Sequence, residues 1–506
     1  MYNKFFPSPG SNQKSFNNPQ TYIPLFSTKN FFLCVKILLA LWILIYIFIV
    51  TNYSKDIETK IEEENRIIDK FQDKLMFLMQ HGIKIKNSVI DRFKIPDYLA
   101  NYTFDPNNPM NLDGGISEQA QRFIKELNLT NPGENGVPIK LPNNASDQVK
   151  RLIKYGFDTF GYNQFISTLV SLNRALPDVR PDECKQKVYR TDKFSKISIV
   201  IPFYNDDWHL LMRTVHSIIR MTPLEYILEI LLVDDCSTMQ HLKEPLENYT
   251  ATLPVNTRII RSHTRLGIVS NRVLGARNAR APIIVYVDSH VEFHLGWIDP
   301  ILDRFVDNMD LIVVPNISLI NPKDMSIDYK YNIGKMLAID WQLQSRLLDI
   351  KWLEGTNATP TWDPKIAPIG IFAVLAIGNK FYERIEYLDI DMDVWGGEDY
   401  ELVFRTWLCG GRVEFVPCSN IAHMFRKHKY SINLKGKGGY PWNMARIVET
   451  WMDDYKQYFY RVIKNSRVPY GDLTERMQLK NRLNCKPFQW YIDNVYPRLN
   501  DIPKRV

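Results

Sequence analysis

The sequence is poor in cysteine and lacks the glycine motifs of common nucleotide-binding loops. Only 6 of its 506 residues are cysteine, which excludes a small scaffold built on disulfides. No Gly-x-Gly-x-x-Gly or Gly-x4-Gly-Lys-Ser/Thr loop follows any predicted strand, which argues against dinucleotide oxidoreductases and P-loop NTPases. The 23 glycines and 29 prolines are too few for a collagen-like or low-complexity chain. A globular core is therefore expected.

Acidic residues are absent from the first 50 positions. This segment contains four lysines, so it supplies four of the seven net positive charges of the chain. The rest of the sequence is nearly balanced in charge. Its small positive excess is too little for a surface that binds a nucleic-acid backbone. We expect no nucleic-acid partner.

Residues 31–50 are apolar throughout except for Lys36. Twenty such residues span a bilayer as a helix, and the segment lacks the small-residue cleavage site of a signal peptide. Basic residues precede it and acidic residues follow it, which places the N-terminus in the cytoplasm. The sequence predicts a cytoplasmic tail over 1–30, a signal anchor over 31–50 and a type II orientation.

Residues 51–147 are predicted to form a stem and linker. Apolar residues between Ile57 and Leu78 recur at spacings of three, four and seven, which fits either a stem that pairs two chains as a homodimer or an amphipathic helix lying on the globular body. From Pro96 to Asp147 the chain is rich in Asn, Pro and Gly, which predicts an irregular linker. The packed domain is expected to cover 148–506.

Seven Asn-x-Ser/Thr sequons lie after the predicted span, in agreement with a luminal location. One of them, Asn52, lies two residues after the span. The other six are glycosylation candidates: Asn101, Asn128, Asn144, Asn248, Asn316 and Asn357.

Short apolar runs alternate with helical patterns after residue 190, which predicts an α/β fold with a mostly parallel sheet. The runs cover 197–201, 230–233, 283–287 and 311–314, and an amphipathic stretch covers 208–219. Two runs end in polar residues, Asp234-Asp235 and Asp288-Ser289-His290. Because open α/β sheets bind ligands at the carboxyl ends of their strands, these residues are candidate site residues.

Asp288 and His290 form a pair of metal-ligand types directly after a strand. Their oxygen and nitrogen donors suit a divalent ion such as Mn²⁺, which neutralises a departing diphosphate. Taken alone, the pair also fits a turn that caps the next helix. Downstream, Trp395-Gly396-Gly397-Glu398 combines a ring that covers a sugar or base, a flexible backbone and a carboxylate, although a turn packed by a core tryptophan has the same composition.

These segments together closely resemble the polypeptide N-acetylgalactosaminyltransferases, which are Golgi enzymes that start mucin-type O-glycosylation. The resemblance runs from about Pro181 to Pro497 and includes the membrane anchor. It rests on the following segments: Phe203-Tyr204-Asn205-Asp206, Arg213-Thr214-Val215-His216-Ser217, Leu232-Val233-Asp234-Asp235, Asp288-Ser289-His290, Trp395-Gly396-Gly397-Glu398, Cys409-Gly410-Gly411, His423-Met424-Phe425-Arg426-Lys427 and Glu449-Thr450-Trp451-Met452-Asp453.

The resemblance implies a GT-A glycosyltransferase fold, with a Rossmann-like, mostly parallel sheet flanked by helices. It implies transfer of GalNAc from UDP-GalNAc to Ser or Thr hydroxyls of polypeptides, with retention of configuration and with Mn²⁺ as cofactor. Asp288, His290 and His423 would ligate the metal, and Glu398 and Asp288 would be the catalytic residues. Positions matching substrate contacts are Asp235, Arg265, Ser289, Trp395, Asp399, Arg426 and, allowing a one-residue deletion, Tyr430.

Four cysteines remain once Cys34 in the predicted span and Cys236 beside the aspartate pair are set aside. They allow three disulfide pairings, and free thiols are less expected in an oxidising lumen. The resemblance selects Cys184 with Cys418 and Cys409 with Cys485.

The chain departs from the family pattern in three respects, of which Phe372 and Asp399 support a second hypothesis. Ile371-Phe372-Ala373 aligns with an Ala-Gly-Gly segment of the family, so Phe372 is expected to fill part of the sugar pocket. Asp399 and Tyr204 replace an asparagine and a histidine. The chain is also expected to lack the family's C-terminal ricin-like lectin domain. The alternative to an active transferase is a pseudoenzyme that keeps the fold and binds UDP or partner glycoproteins.

Overall fold

The computed structural model describes residues 118–331, 334–350, 362–426, 437–463 and 468–502. The predicted tail, the predicted span and the part of the predicted stem before residue 118 lie outside these ranges. Among the helices of the described ranges, none is both long and apolar enough to cross a membrane.

Fourteen α-helices are present in the described residues. In chain order, α1 to α14 are Glu118–Glu126, Asp147–Phe160, Gln164–Leu169, Asp182–Gln186, Trp208–Met221, Glu244–Thr250, Ile268–Asn278, Asp299–Asp307, Asn379–Arg384, Glu398–Leu408, Tyr440–Trp451, Lys456–Ile463, Thr474–Arg482 and Phe488–Asn494. Short 3-10 helices cover Glu134–Gly136, Thr191–Lys193, Leu224–Tyr226, Gln240–Leu242, Asp453–Tyr455 and Pro497–Asp501.

Twelve strands accompany these helices within the described ranges. In chain order, β1 to β12 are Ile197–Phe203, Ile227–Asp234, Thr257–Arg261, Ile283–Val287, Val291–Phe293, Leu311–Ile320, Ile327–Asp328, Lys335–Ile339, Ser345–Asp349, Lys365–Ile366, Val374–Gly378 and Arg412–His423. The four apolar runs and the amphipathic stretch recognised in the sequence all fall within β1, β2, β4, β6 and α5.

The central sheet has the strand order β10-β12-β6-β11-β4-β1-β2-β3, with β5 and β7 on its margin. Strands β4, β1, β2 and β3 run parallel, as the sequence predicts. Strand β11 runs antiparallel between β4 and β6, so the sheet is mixed at its centre. The hairpin β8-β9 forms a separate two-stranded sheet.

Both faces of the sheet are covered, which explains its continuous apolar runs. In β1, Ile199 and Ile201 pack into the core on one face, whereas Val200 packs into the core on the other. All three are completely buried. The alternation is the two-residue period of a strand applied to a sheet with a core on each side.

The packed unit begins earlier than the boundary at residue 148 that the sequence predicts. Ala120, Phe123 and Ile139 are buried in a third cluster with residues of α2 and α3. Arg174 ties this region to the sheet, because its completely buried side chain pairs with Glu292 of β5 at 2.6 Å. The segment 118–147, which begins with α1 and continues as an irregular stretch rich in Asn, Pro and Gly, therefore packs onto the body and is not a free linker.

Strand β12 is the element that completes the site. It pairs in parallel with β6 over its length and antiparallel with β5 at its end, where His423 lies opposite Val291. Its register against β6 shifts between Val416 and Asn420. This irregular pairing carries the end of β12 to the carboxyl end of β4.

Candidate active site

The structure brings Asp288, His290 and His423 together. Asp288 follows β4, His290 directly precedes β5, and His423 ends β12. One ligand atom from each side chain lies within 4.8 Å of those of the other two. These are the three residues that the resemblance assigns to the metal.

The donor set fits a divalent cation. One carboxylate and two imidazoles suit ions such as Mn²⁺. Neither ring nitrogen of the buried His423 has a hydrogen-bond partner in the described part of the chain, although Nε2 lies 3.3 Å from Asp288 Oδ2. Burial raises the pKa of Asp288, but His423 and Arg272 outweigh it, so the pKa lies below its ordinary value. Asp288 is therefore ionised, and a bound metal would give the His423 imidazole the partner that it lacks in hydrogen bonding.

Arg272 of α7 links this cluster to Glu398, a role that the sequence analysis missed. Its Nη2 donates to Asp288 Oδ1 at 3.0 Å and its Nη1 to Glu398 Oε1 at 2.8 Å. The Arg272 side chain is 3% exposed, so the bridge is shielded from water. No motif surrounds Arg272 in the sequence, and only the packing of α7 against the sheet identifies it.

Glu398 is the first residue of α10 and is held by the turn before it. Gly396 and Gly397 have φ values of 99° and 90°, which side chains other than glycine rarely adopt. The Gly396 N–H donates to Glu398 Oε2 at 2.7 Å. The Trp-Gly-Gly-Glu segment thus fixes one carboxylate oxygen by its own backbone and the other by Arg272.

A second group of residues lies at the end of β2. Asp235 accepts hydrogen bonds from the N–H groups of Leu266 and Gly267, at 2.6 and 2.9 Å, and pairs with Arg265. The Arg265 guanidinium stacks over the Tyr204 ring, 3.4 Å from its centroid. The structure therefore groups two of the predicted UDP contacts with the tyrosine that departs from the family pattern.

Ser289 and Arg426 meet at Asp206, whose role the sequence analysis did not assign. The Ser289 hydroxyl donates to Asp206 Oδ2 at 2.6 Å, and Arg426 Nη2 lies 2.5 Å from Asp206 Oδ1. Asp206 belongs to the segment Phe203-Tyr204-Asn205-Asp206, which resembles the family. Its membership of that segment is the feature of the sequence from which a role at the site could have been predicted. Tyr430, the remaining predicted substrate contact, lies outside the described residues.

These groups line one cavity of about 550 Å³ and an adjoining one of about 70 Å³. Both are bordered by Arg272, Asp288, His290, Trp395 and Arg426. Trp395 is 44% exposed, so its ring is available to a ligand and is not the core residue of a packed turn. The larger cavity has the size of a small-molecule site, and it combines apolar walls with few convergent charges.

The two unusual residues of the sugar-pocket segment lie against this site. Phe372 borders the larger cavity, but its side chain is only 2% exposed and packs beneath Arg272. Asp399 Oδ1 accepts the Phe372 N–H at 3.2 Å. Burial first, and then repulsion from Glu398, raise the pKa of Asp399 well above its ordinary value, with Arg272 opposing.

Replacing Asp399 by asparagine is expected to stabilise the fold increasingly as pH rises. Above the ordinary pKa of 3.8, the folded protein retains a proton that the unfolded chain releases, so wild-type stability falls as pH increases toward the raised pKa. Asparagine removes this linkage. Chemical denaturation of Asp399→Asn and wild type at several pH values measures the difference in their free energies of unfolding.

The matched control for this prediction is Asp158→Asn. The Asp158 side chain is 60% exposed and forms only a surface pair with Lys154. We expect its effect to be small and to show no comparable growth with pH. If the difference in the free energy of unfolding between Asp399→Asn and wild type stayed constant with pH, this would contradict a carboxyl group that its surroundings hold neutral.

Both disulfides that the resemblance implies are present. Cys184 bonds to Cys418, and Cys409 bonds to Cys485. The second disulfide joins the end of α10 to the segment between α13 and α14, and so ties the C-terminal helices to the helix that begins at Glu398. Cys236 is a free thiol.

The candidate glycosylation sites differ in their exposure to solvent. Asn128, Asn144 and Asn248 are exposed, whereas Asn101 and Asn357 lie outside the described residues. The inclusion of Asn316 is wrong for the folded chain. Its side chain is buried in β6 and donates to Asn420 Oδ1 at 2.8 Å, which leaves no space for a glycan.

Comparisons with known proteins agree with this geometry. Residues 198–361 match the model described as glycosyl transferase family 2, and residues 357–429 match the one described as N-terminal domain of galactosyltransferase. A putative polypeptide N-acetylgalactosaminyltransferase 9 of Drosophila melanogaster is 39% identical over 370 residues, covering 73% of this chain and 57% of the fly protein. This chain thus spans little more than half of that relative.

For two further relatives, the match covers a larger share of the relative's own length. Polypeptide N-acetylgalactosaminyltransferase 13 of Rattus norvegicus is 36% identical over 397 residues, covering 76% of this chain and 69% of the rat protein. A crystal structure of GalNAc-T7 with UDP, GalNAc and Mn²⁺ is 31% identical, with a TM-score of 0.68, and the match covers 74% of this chain and 69% of that one. The likeness therefore extends from sequence to fold.

Proposed function

The chain belongs to the polypeptide N-acetylgalactosaminyltransferase family, and on that premise we propose that it transfers GalNAc from UDP-GalNAc to Ser or Thr hydroxyls of polypeptides. The observation that carries the proposal is the cluster of Asp288, His290 and His423 at a cavity of about 550 Å³. The proposed reaction proceeds with retention of configuration at the sugar.

Asp288, His290 and His423 would hold Mn²⁺, which neutralises the diphosphate of the leaving group when bound. Arg265 and Arg426 both border the adjoining cavity of about 70 Å³, where they add positive charge that orients phosphate oxygens. Trp395 offers its exposed ring as a cover for the donor.

Glu398 orients the donor sugar by accepting a hydroxyl hydrogen bond. Arg272 holds this carboxylate and Asp288 in fixed positions before the substrate binds, so little reorganisation is needed during the reaction. Positioning of donor and acceptor supplies much of the remaining acceleration. The proposed mechanism requires no covalent carboxylate intermediate.

We further propose that the protein is a single-pass type II protein of the Golgi membrane with its catalytic unit in the lumen. Two disulfides and three exposed sequons are consistent with an oxidising, glycosylating compartment. The predicted span over residues 31–50 would be the anchor.

A second candidate function is a pseudoenzyme that binds UDP or partner glycoproteins without transfer. It is favoured by Phe372 and Asp399, which alter the segment beside Glu398. The metal cluster and the Arg272 bridge from Asp288 to Glu398 favour the transferase.

Incubation of the full chain with Mn²⁺, a mixed pool of Ser and Thr peptides and a panel of UDP-sugars is expected to give GalNAc-modified peptides by mass spectrometry. A chelator is expected to stop transfer, and added Mn²⁺ to restore it, since three protein ligands would hold the ion. UDP binding by calorimetry without transfer from any donor would refute the transferase and support the pseudoenzyme.

A further inference from the structure

The ring of Phe372 lies directly beneath the guanidinium of Arg272. The guanidinium carbon is 4.1 Å from the ring centroid. Both side chains are almost completely buried, with Phe372 at 2% and Arg272 at 3% exposure. A cation–π contact shielded from water in this way is stronger than one at an exposed site.

Tyr286 of β4 fixes both members of this contact. Its ring meets the Phe372 ring edge to face, with centroids 5.2 Å apart and planes at 79°. Its hydroxyl donates to the backbone oxygen of Arg272 at 3.0 Å. The three residues form a closed triangle in which each contacts the other two.

The backbone of Phe372 is held by Asp399. The Phe372 N–H donates to Asp399 Oδ1 at 3.2 Å. Phe372 is thus held at its ring by Tyr286 and at its main chain by Asp399. The two residues that depart most from the family pattern in this segment are therefore joined to one another and, through the ring, to Arg272.

We propose that Phe372 is a positioning residue for Arg272. Its ring face holds the guanidinium in the orientation in which one nitrogen reaches Asp288 and the other reaches Glu398. The inference rests on the proposed function for its kinetic readout and goes beyond it by assigning Phe372 a supporting role, in place of the pocket-filling role expected from the sequence.

A graded series of fluorinated phenylalanines at position 372 of the full chain tests the proposal. Fluorine withdraws charge from the ring face with little change in ring size, so it weakens attraction to a cation and largely preserves packing. We expect kcat to fall stepwise, reaching about tenfold for the fully fluorinated ring, with KM for the UDP-sugar changed less. A kcat that does not vary across the series would overturn the proposal.

Phe165 provides the matched control. It is 1% exposed and meets Phe123 edge to face with centroids 5.3 Å apart, in the third cluster, where α1 to α3 pack against residues of β6 and β12. The same fluorinated residues at position 165 are expected to leave kcat unchanged. A fall at position 165 equal to that at position 372 would assign the effect to packing and overturn the proposal.

Replacing Ile371-Phe372-Ala373 by Ala-Gly-Gly separates the two roles of the ring. Loss of a support for Arg272 lowers kcat, whereas removal of a side chain that obstructs the sugar raises it. We expect a fall. An increase in GalNAc transfer would refute the positioning role and favour the pocket-filling one.

A measurement that needs no sugar transfer distinguishes failure of the positioning role of Phe372 from failure of the proposed function. In nuclear magnetic resonance of the arginine-labelled full chain, the ring current of Phe372 is expected to shift the side-chain resonances of Arg272 upfield, and Phe372→Leu is expected to abolish the shift. Unshifted Arg272 resonances would overturn the inference. Absence of transfer by wild type would refute the proposed function, and this measurement would still decide the role of Phe372.

Discussion

Replacing Asp288 by alanine is expected to lower kcat for GalNAc transfer by about a thousandfold or more. The substitution removes the carboxylate of the metal cluster and one of the two partners of Arg272. A metal ion contributes several kcal/mol to stabilising a developing negative charge, and about 4 kcal/mol corresponds to a thousandfold in rate. Transfer assays measure the loss of activity, and calorimetric titration with Mn²⁺ measures the loss of metal affinity.

Asp307→Ala is the control for this prediction. Asp307 has a side chain that is 60% exposed, and it pairs with Arg190 on the surface. Its replacement is expected to leave transfer and Mn²⁺ binding unchanged. Retention of transfer by Asp288→Ala within about tenfold of wild type would exclude Asp288 as a required metal ligand.

Replacing Arg272 by methionine is expected to lower kcat by about a hundredfold to a thousandfold, the range seen when one preorganised donor is removed. It also leaves Asp288 and Glu398 without their shared buried cation. Loss of one partner from a buried ion pair costs about 3–5 kcal/mol in the free energy of unfolding. Addition of Mn²⁺ is expected to recover part of this stability, because a bound ion supplies positive charge beside Asp288.

Two further variants sharpen the Arg272 prediction. Arg272→Lys keeps the charge but is expected to recover little activity, since an ammonium lacks the planar fork that reaches two carboxylates at once. Arg384→Met removes a surface pair with Asp310, whose side chains are 50% and 40% exposed, and is expected to cost less than about 1 kcal/mol. Full activity in Arg272→Met would show that the bridge is not needed for catalysis.

The sequence identified four strands of the sheet and two of the three residues of the metal cluster from local patterns. Continuous apolar runs predict buried strands, and β1, β2, β4 and β6 contain the predicted segments. Asp288 and His290 were recognised together because they are two residues apart at the end of one strand. His423, in contrast, entered only through the family resemblance.

The boundary at residue 148 was misplaced for a physical reason. Between residues 118 and 147, turn-forming residues outnumber apolar ones, and such composition predicts a linker. The few apolar side chains there, such as Phe123 and Ile139, are nevertheless buried against α2 and α3. Burial of an irregular segment depends on the surface that it meets, which its own sequence does not encode.

By itself, the sequence determined the alternation of strands and helices, the polar residues at the ends of the strands, and, through ordered motifs, the family. Tertiary structure alone decided which distant residues form the site. The pairing of β12 with β5 and β6 brings His423 to Asp288, and the packing of α7 places Arg272 between Asp288 and Glu398. Strand formation follows from a local two-residue period, whereas pairing between distant strands and helix packing depend on contacts across the whole chain.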